Sequence, residues 1–221
     1  MVSQPSLEAG QSVRPLNEEM TLQKSAPNSR TRRSRSGGFS MVELAVSLTV
    51  LLILTAIAIP TLTRSFRTYQ LNDAAARFSD MLKFTRFEAV RKNKQVCFLI
   101  QQSGYTWTLG TDSTCSGTLD TNGKQQVISG VATLLPSGAP PNYSSILAKL
   151  GTTAALDATR SGTACSLTFD SRGAVSPLGA YIFYLGSATN PEFGYRAVIL
   201  LPSGATQIWT APTSGPWQRV G

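Results

Sequence analysis

The sequence predicts an α+β protein, a long N-terminal α-helix packed on an antiparallel β-sheet head. Three observations carry this. The apolar run "ELAVSLTVLLILTAIAIPTL" (43–62) continues without a break into a segment of helical apolar periodicity. From residue 95 the pattern changes to short runs rich in β-branched and aromatic residues, divided by glycine-containing turns. Helix first and strands afterwards is the order in which one helical stripe covers one face of a sheet.

Residues 1–38 are rich in Ser, Pro, Gln, Asn and Arg and lack apolar periodicity, so they read as a cytoplasm-facing leader. Arg30, Arg32, Arg33 and Arg35 precede the apolar run, and the excess of positive charge places that side in the cytoplasm. From Leu44 to Leu62 the polar residues are Ser47, Thr49, Thr55 and Thr61 alone. Roughly 19 residues at 1.5 Å each span close to 30 Å, the hydrocarbon thickness of a bilayer. Residues 39–62 are therefore assigned as a membrane-spanning helix, with Pro60 near its far end.

An ordinary secretory signal peptide is the competing reading, with Ala56-Ile57-Ala58 as its cleavage site. Two features oppose it. Its apolar region has no use for Glu43, and it should be followed by a break. Here the helix continues, with Leu71, Ala75, Phe78, Leu82, Thr85 and Ala89 recurring at steps of four and three. Asp73 with Arg77 and Glu88 with Lys92 are opposite charges four residues apart, supporting the helix from its solvent side. Residues 63–94 thus form an amphipathic continuation of one helix running from near Phe39 to near Asn93.

Residues 95–221 form the β-rich head. "QVCFLI" (95–100) and "YTWTLG" (105–110) make a hairpin around Gly104, followed by a polar loop and the weaker candidates "QQVIS" and "VATLLP". "SSILAKL" suggests a helical turn within the Ser/Ala/Gly/Pro-rich stretch 136–163. "CSLTFD" (165–170), "AYIFYLG" (180–186), "YRAVILL" (195–201) and "ATQIWT" (205–210) are strands, and the residues after them a tail.

The net charge of +8 suggests nucleic acid until it is divided along the chain. Residues 1–38 carry six basic and three acidic groups, and residues 39–94 carry eight and four. Residues 95–221 carry six and five, a net of +1. The head is close to neutral, so broad phosphate binding is not favoured. The chain contains no histidine, which removes the commonest general base and metal ligand. Asp112, Asp120, Asp157, Asp170 and Glu192 are scattered singly. No enzyme, cofactor or metal site is implied. Trp107, Trp209 and Trp217 lie in or beside strands and are expected in the core.

Cys97, Cys115 and Cys165 all fall in the head, on the oxidising side of the membrane, and allow three single bridges. Cys97 sits within an apolar strand and reads as a small core residue. Cys115–Cys165 is the expected pair.

"SGGFSMVELAVSL" (36–48), with the basic leader before it and the apolar span after it, resembles the processing site of the type IV pilin family, which includes the pseudopilins of type II secretion. The resemblance implies that a prepilin peptidase cuts between Gly38 and Phe39 and methylates Phe39, leaving Glu43 fifth in the mature chain. A carboxylate at membrane depth costs roughly 2.5–3.5 kcal/mol on insertion scales and marks a functional pairing. The ammonium released at Phe39 of a neighbouring subunit is the natural partner. The long leader departs from the family's usual length, and Met20 is an alternative start.

"LNDAAARFSDMLKFTRFEAVRKNKQVCFLI" (71–100) is similar to the helix end and first strand of the H-type minor pseudopilins, the GspH/FimT-like group. The matching residues are Ala75, Ala76, Leu82, Arg86, Glu88, Ala89, Val90, Arg91 and Val96. "LTFDSRGAV" (167–175) resembles that group's later strand and turn. Residues 111–163 match nothing in it. DNA-binding members carry arginines in the C-terminal hairpin, where this chain has Ala205 and Gln207 in "PSGATQIW", so nucleic acid is not an expected partner.

The implied role is a minor pseudopilin of the type II secretion pseudopilus, at or near its tip. It is anchored in the inner membrane with the head in the periplasm. The alternative is a minor type IV pilin for pilus assembly, adhesion or DNA uptake. Implied partners are the prepilin peptidase, the membrane and other filament subunits through helix packing. A secreted substrate or the secretin is a further candidate.

Overall fold

The computed structural model describes residues 38–158 and 167–220. The first unit, up to Ala45, contributes Gly38 to Ala45 to this description. The second runs from Val46 to the C-terminus. Helix α1 (Met41–Lys92) is continuous, with Pro60 inside it. Proline removes one backbone donor. Hydroxyls just after it reach back to carbonyls one turn earlier: Thr63 Oγ1 donates to Ile59 O at 2.6 Å, and Thr61 Oγ1 to Ile57 O at 3.4 Å.

Burial divides α1 sharply. Every large apolar side chain from Val46 to Leu62 is at least half exposed, with nothing among the described residues covering it. From Leu71 onward one stripe is buried: Leu71, Ala75, Phe78, Leu82, Thr85 and Ala89, the predicted face, joined by Ala74 and Met81. Of the two expected charge pairs, Arg77 Nε lies 2.7 Å from Asp73 Oδ2 and Lys92 Nζ 3.2 Å from Glu88 Oε2.

The strands form two sheets. The first runs in the order β3 (Gln125–Ile128), β2 (Thr106–Asp112), β1 (Val96–Ser103), β6 (Leu167–Phe169) and β7 (Val175–Ser176). The second runs β11 (Gln218–Val220), β10 (Thr206–Ala211), β9 (Tyr195–Leu200), β8 (Tyr181–Gly186) and β4 (Thr133–Leu135). All of these pairings are antiparallel; β5 (Asp157–Ala158) adds a short parallel pairing to β8.

The helix stripe fills the space against both sheets. Phe78 is the pivot, with ring centroids 5.5 Å from Phe98 in β1 and 4.7 Å from Phe183 in β8. Phe98 and Phe183 are themselves 6.4 Å apart, so one aromatic cluster joins helix and both sheets. Such pairs contribute roughly 0.5–1.5 kcal/mol each beyond their burial.

Strands β8 and β9 are buried along their whole length because the second sheet is covered on both faces. Tyr181, Phe183, Leu185, Val198 and Leu200 join the helix-side core. Ile182, Tyr184, Ala197, Ile199 and Trp209 pack on the other side with Ile146 of α2 (Ser144–Leu150) and Trp217. Period-two alternation sends neighbouring residues to opposite cores, so an unbroken apolar run results. Arg196, placed in β9 on the helix side, donates from Nε to Asn72 Oδ1 of α1 at 2.6 Å and from Nη1 to Tyr195 O at 2.9 Å. Burial pushes its guanidinium pKa down.

The residues after β10, expected as a tail, instead close the fold. Trp217 is fully buried, its indole N–H donates to Pro141 O at 3.1 Å, and β11 pairs with β10. Lys149 of α2 donates to the Trp217 carbonyl at 3.1 Å. Trp107 and Trp209 are buried as expected.

The expected Cys115–Cys165 bridge gives way to Cys97–Cys115, with Cα atoms 5.4 Å apart; Cys165 lies outside the described residues. The register explains the pairing. Cys97 stands opposite Asp112 across the β1–β2 ladder, and the chain turns back at once, with Cys115 in the left-handed region at φ 53°. Two carboxylates shape that turn. Asp112 accepts from the backbone N–H groups of Thr114 and Gly117 at 2.9 and 2.7 Å, and Asp120 from that of Ser113 at 3.1 Å. The single acids of this loop are thus structural, their oxygens matched to backbone donors.

Candidate functional site

Gly38, Phe39 and Ser40 precede α1 in non-helical backbone, and all three are exposed, Phe39 to 81%. Ser40 starts the helix. Its Oγ accepts from Val42 N–H at 3.3 Å, and its carbonyl accepts from Leu44 N–H at 3.0 Å. That is an N-cap, satisfying a donor the first turn leaves open. Glu43 falls three residues after the cap, completing the Ser-x-x-Glu pattern that opens many helices. It also sits where the helix dipole favours an anion. The Gly38–Phe39 peptide therefore lies just outside the helix, with both of its residues exposed. The cap residue has a sequence signature in "FSMVE", where Ser is followed three positions later by Glu.

At the far end of the helix, one motif residue meets backbone of the head and another pairs with side chains of its own helix. Arg86 Nε donates to Gly173 O at 3.1 Å. Gly173 and Gly204 have φ of 80° and 76°, and a side chain at either would collide with Arg86. Val175 N–H donates to Pro202 O at 3.1 Å, so the "SRG" turn of the first sheet and the "PSG" turn of the second are tied together over Arg86. Glu88 accepts from Arg91 at 2.9 and 2.7 Å and faces Lys92 at 3.2 Å. These cations, Arg91 foremost, hold its carboxyl below the ordinary glutamate pKa against the opposing effect of burial. Ala75, Leu82, Ala89 and Val96 are core; Ala76 and Val90 are exposed. The matched residues thus describe how helix, first strand and the two turns fit together.

A cleft of about 480 Å³ lies between α1 and the β2–β3 loop, lined among others by Phe84, Glu88, Arg91, Asp120 and Lys124. Its charges face one another: Glu88 engages Arg91, and Lys124 Nζ stands 5.2 Å over the Phe84 ring.

Comparison with known proteins follows the same two regions. Residues 33–59 match the prokaryotic N-terminal methylation motif. No curated protein matches the chain. Among solved structures, the type IV minor pilin FimU of Pseudomonas aeruginosa is similar at 17% identity and a TM-score of 0.43, over 62% of this chain and 91% of that one. The minor pseudopilin EpsH of the Vibrio cholerae type 2 secretion system is similar at 12% identity and a TM-score of 0.41, over 64% of this chain and 97% of that one. Residues 74–204, more than half of the chain and including both Arg86 and its glycine turns, match the description Type II transport protein GspH, and the chain belongs to that family.

Proposed function

We propose that the chain is a minor pseudopilin, a structural subunit of the type II secretion pseudopilus that works at or near the filament tip. The observation that carries this reading is the overlay in residues 38–43. An accessible Gly-Phe peptide, a capped helix start and a first-turn glutamate stand immediately before an apolar helix that the described residues leave bare. Cutting before Phe39 creates an ammonium at the end of that helix. Glu43 of one subunit then meets the Phe39 ammonium of its neighbour as bare helices pack side by side. Pairing offsets the cost of holding a carboxylate near the apolar layer. The head stays in the periplasm, and the role is mechanical.

Mass spectrometry of the mature N-terminus tests the reading. N-methylated Phe39 is the expected result, whereas a chain beginning at Ile59 overturns it. Glu43→Ala should leave cleavage intact and reduce recovery in sheared filaments at least several-fold. Undiminished incorporation would remove the pairing from the account. Recovery of the chain in retractable surface pili, instead of with secretion subunits, would reassign it to a type IV pilus.

A further inference from the structure

The apolar run of α1 ends at Leu62, and two arginines follow at Arg64 and Arg67 with no acid before Asp73. Positive charge on this side is not explained by the rule that orients membrane helices, which places it on the cytoplasmic side. Around Arg67 the helix carries bare aromatic surface, with Phe66 59% and Tyr69 70% exposed. The head adds to it. Strand β1 runs back from the end of α1, so the β1–β2 hairpin tip returns to the level of Arg67. There Tyr105 is 90% exposed and, with Arg67, lines a hollow of about 260 Å³. The other walls, Gly130, Val131 and residues 187–190, are uncharged. Glu192 is the first carboxylate beyond them in the chain.

Arg67 is five residues past Leu62, which is about 7.5 Å along a helix axis. The headgroup layer on each side of a bilayer is roughly 5–8 Å thick. Tyrosine prefers that layer, where its ring meets apolar chains and its hydroxyl meets water, and arginine pairs bidentately with phosphate.

We propose that this rim of the head, Tyr105 together with Arg64 and Arg67, seats on the headgroups of an anionic phospholipid bilayer. The inference rests on the reading of residues 39–62 as a membrane span. The seated head lies against the leaflet in the unassembled subunit, and the contact must break when the subunit enters a filament.

The test uses the full chain in vesicles of phosphatidylcholine and phosphatidylglycerol, with Tyr105→Trp as reporter. The native tryptophans are buried and shielded from lipid, so quenching of the wild type is a low baseline. Flotation with the vesicles after alkaline washing reads the span independently. In floated protein, phospholipid brominated near the headgroup end of its acyl chains should quench the introduced indole at least twofold more than in wild type. Arg172→Trp, an exposed site on the Gly173 turn at the other end of the head, should show no such quenching. Arg64→Gln with Arg67→Gln in the reporter background should reduce the quenching. Floated protein whose Tyr105→Trp indole is not quenched overturns the seat and leaves the rim to a neighbouring subunit. Failure to float overturns the span itself.

Discussion

Arg86 lies on the solvent flank of the buried helix stripe, yet its Nε donates to the carbonyl of Gly173, 87 residues away, at 3.1 Å. The same side chain underlies Gly204, so a single arginine positions one turn from each sheet. Nothing else described ties these two turns to α1 through a side-chain hydrogen bond.

Gly204→Ala should therefore be costly. The added methyl meets the Gly173 carbonyl oxygen, and φ of 76° is unfavourable for any side chain. A loss of about 1–3 kcal/mol is expected from the backbone conformation alone, read as a lower urea midpoint in tryptophan fluorescence. Gly104→Ala, at φ 59° with open space around it, should lose about 1 kcal/mol or less.

Glu88 makes the head acid-sensitive. Arg91, with Lys92 adding to it, lowers the folded-state pKa below the ordinary 4.5 of the unfolded chain. Its contribution is complete above the unfolded value and is lost as pH falls through the folded one. Unfolding measured between neutral pH and pH of about 3 should show stability falling below about 4.5. Glu88→Gln should flatten that fall and cost about 1 kcal/mol at neutral pH, because the Arg91 end of the pair is exposed and screened.

Peptide mapping under non-reducing conditions should recover Cys97 joined to Cys115. The bridge spans 18 residues of sequence, for which loop-closure entropy gives about 3 kcal/mol. Reductant or Cys115→Ser should lower thermal stability accordingly and release the loop that covers Gly110, where Leu119 now packs. A Cys115–Cys165 peptide would overturn the assignment.

Trp217→Ala should cost about 3–5 kcal/mol, the range for emptying a buried aromatic site. Its indole fills the second core against Tyr184, with ring centroids 5.8 Å apart, and leaves Pro141 O without its donor when removed. Chains truncated before Pro216 should lose the same stability, since β11 and the Trp217 anchor go together.

The local pattern of the sequence was enough for α1, its buried stripe, the main strands and the processing motif. Each is set by neighbours a few residues apart: apolar spacing of three and four, alternation of two, and Ser40 ahead of Glu43. The extra strand pairings β5–β8, β6–β7 and β10–β11, the Cys97–Cys115 bridge and the Arg86 junction were decided by tertiary structure. Strand segments of two or three residues have too little periodicity to declare themselves, and they form where a longer strand offers an open ladder edge. A disulfide follows from which strands lie side by side, which spacing along the chain does not reveal. Arg86 and Gly173 were both visible as motif residues, but only the packing of two sheets over one helix brings them within 3.1 Å.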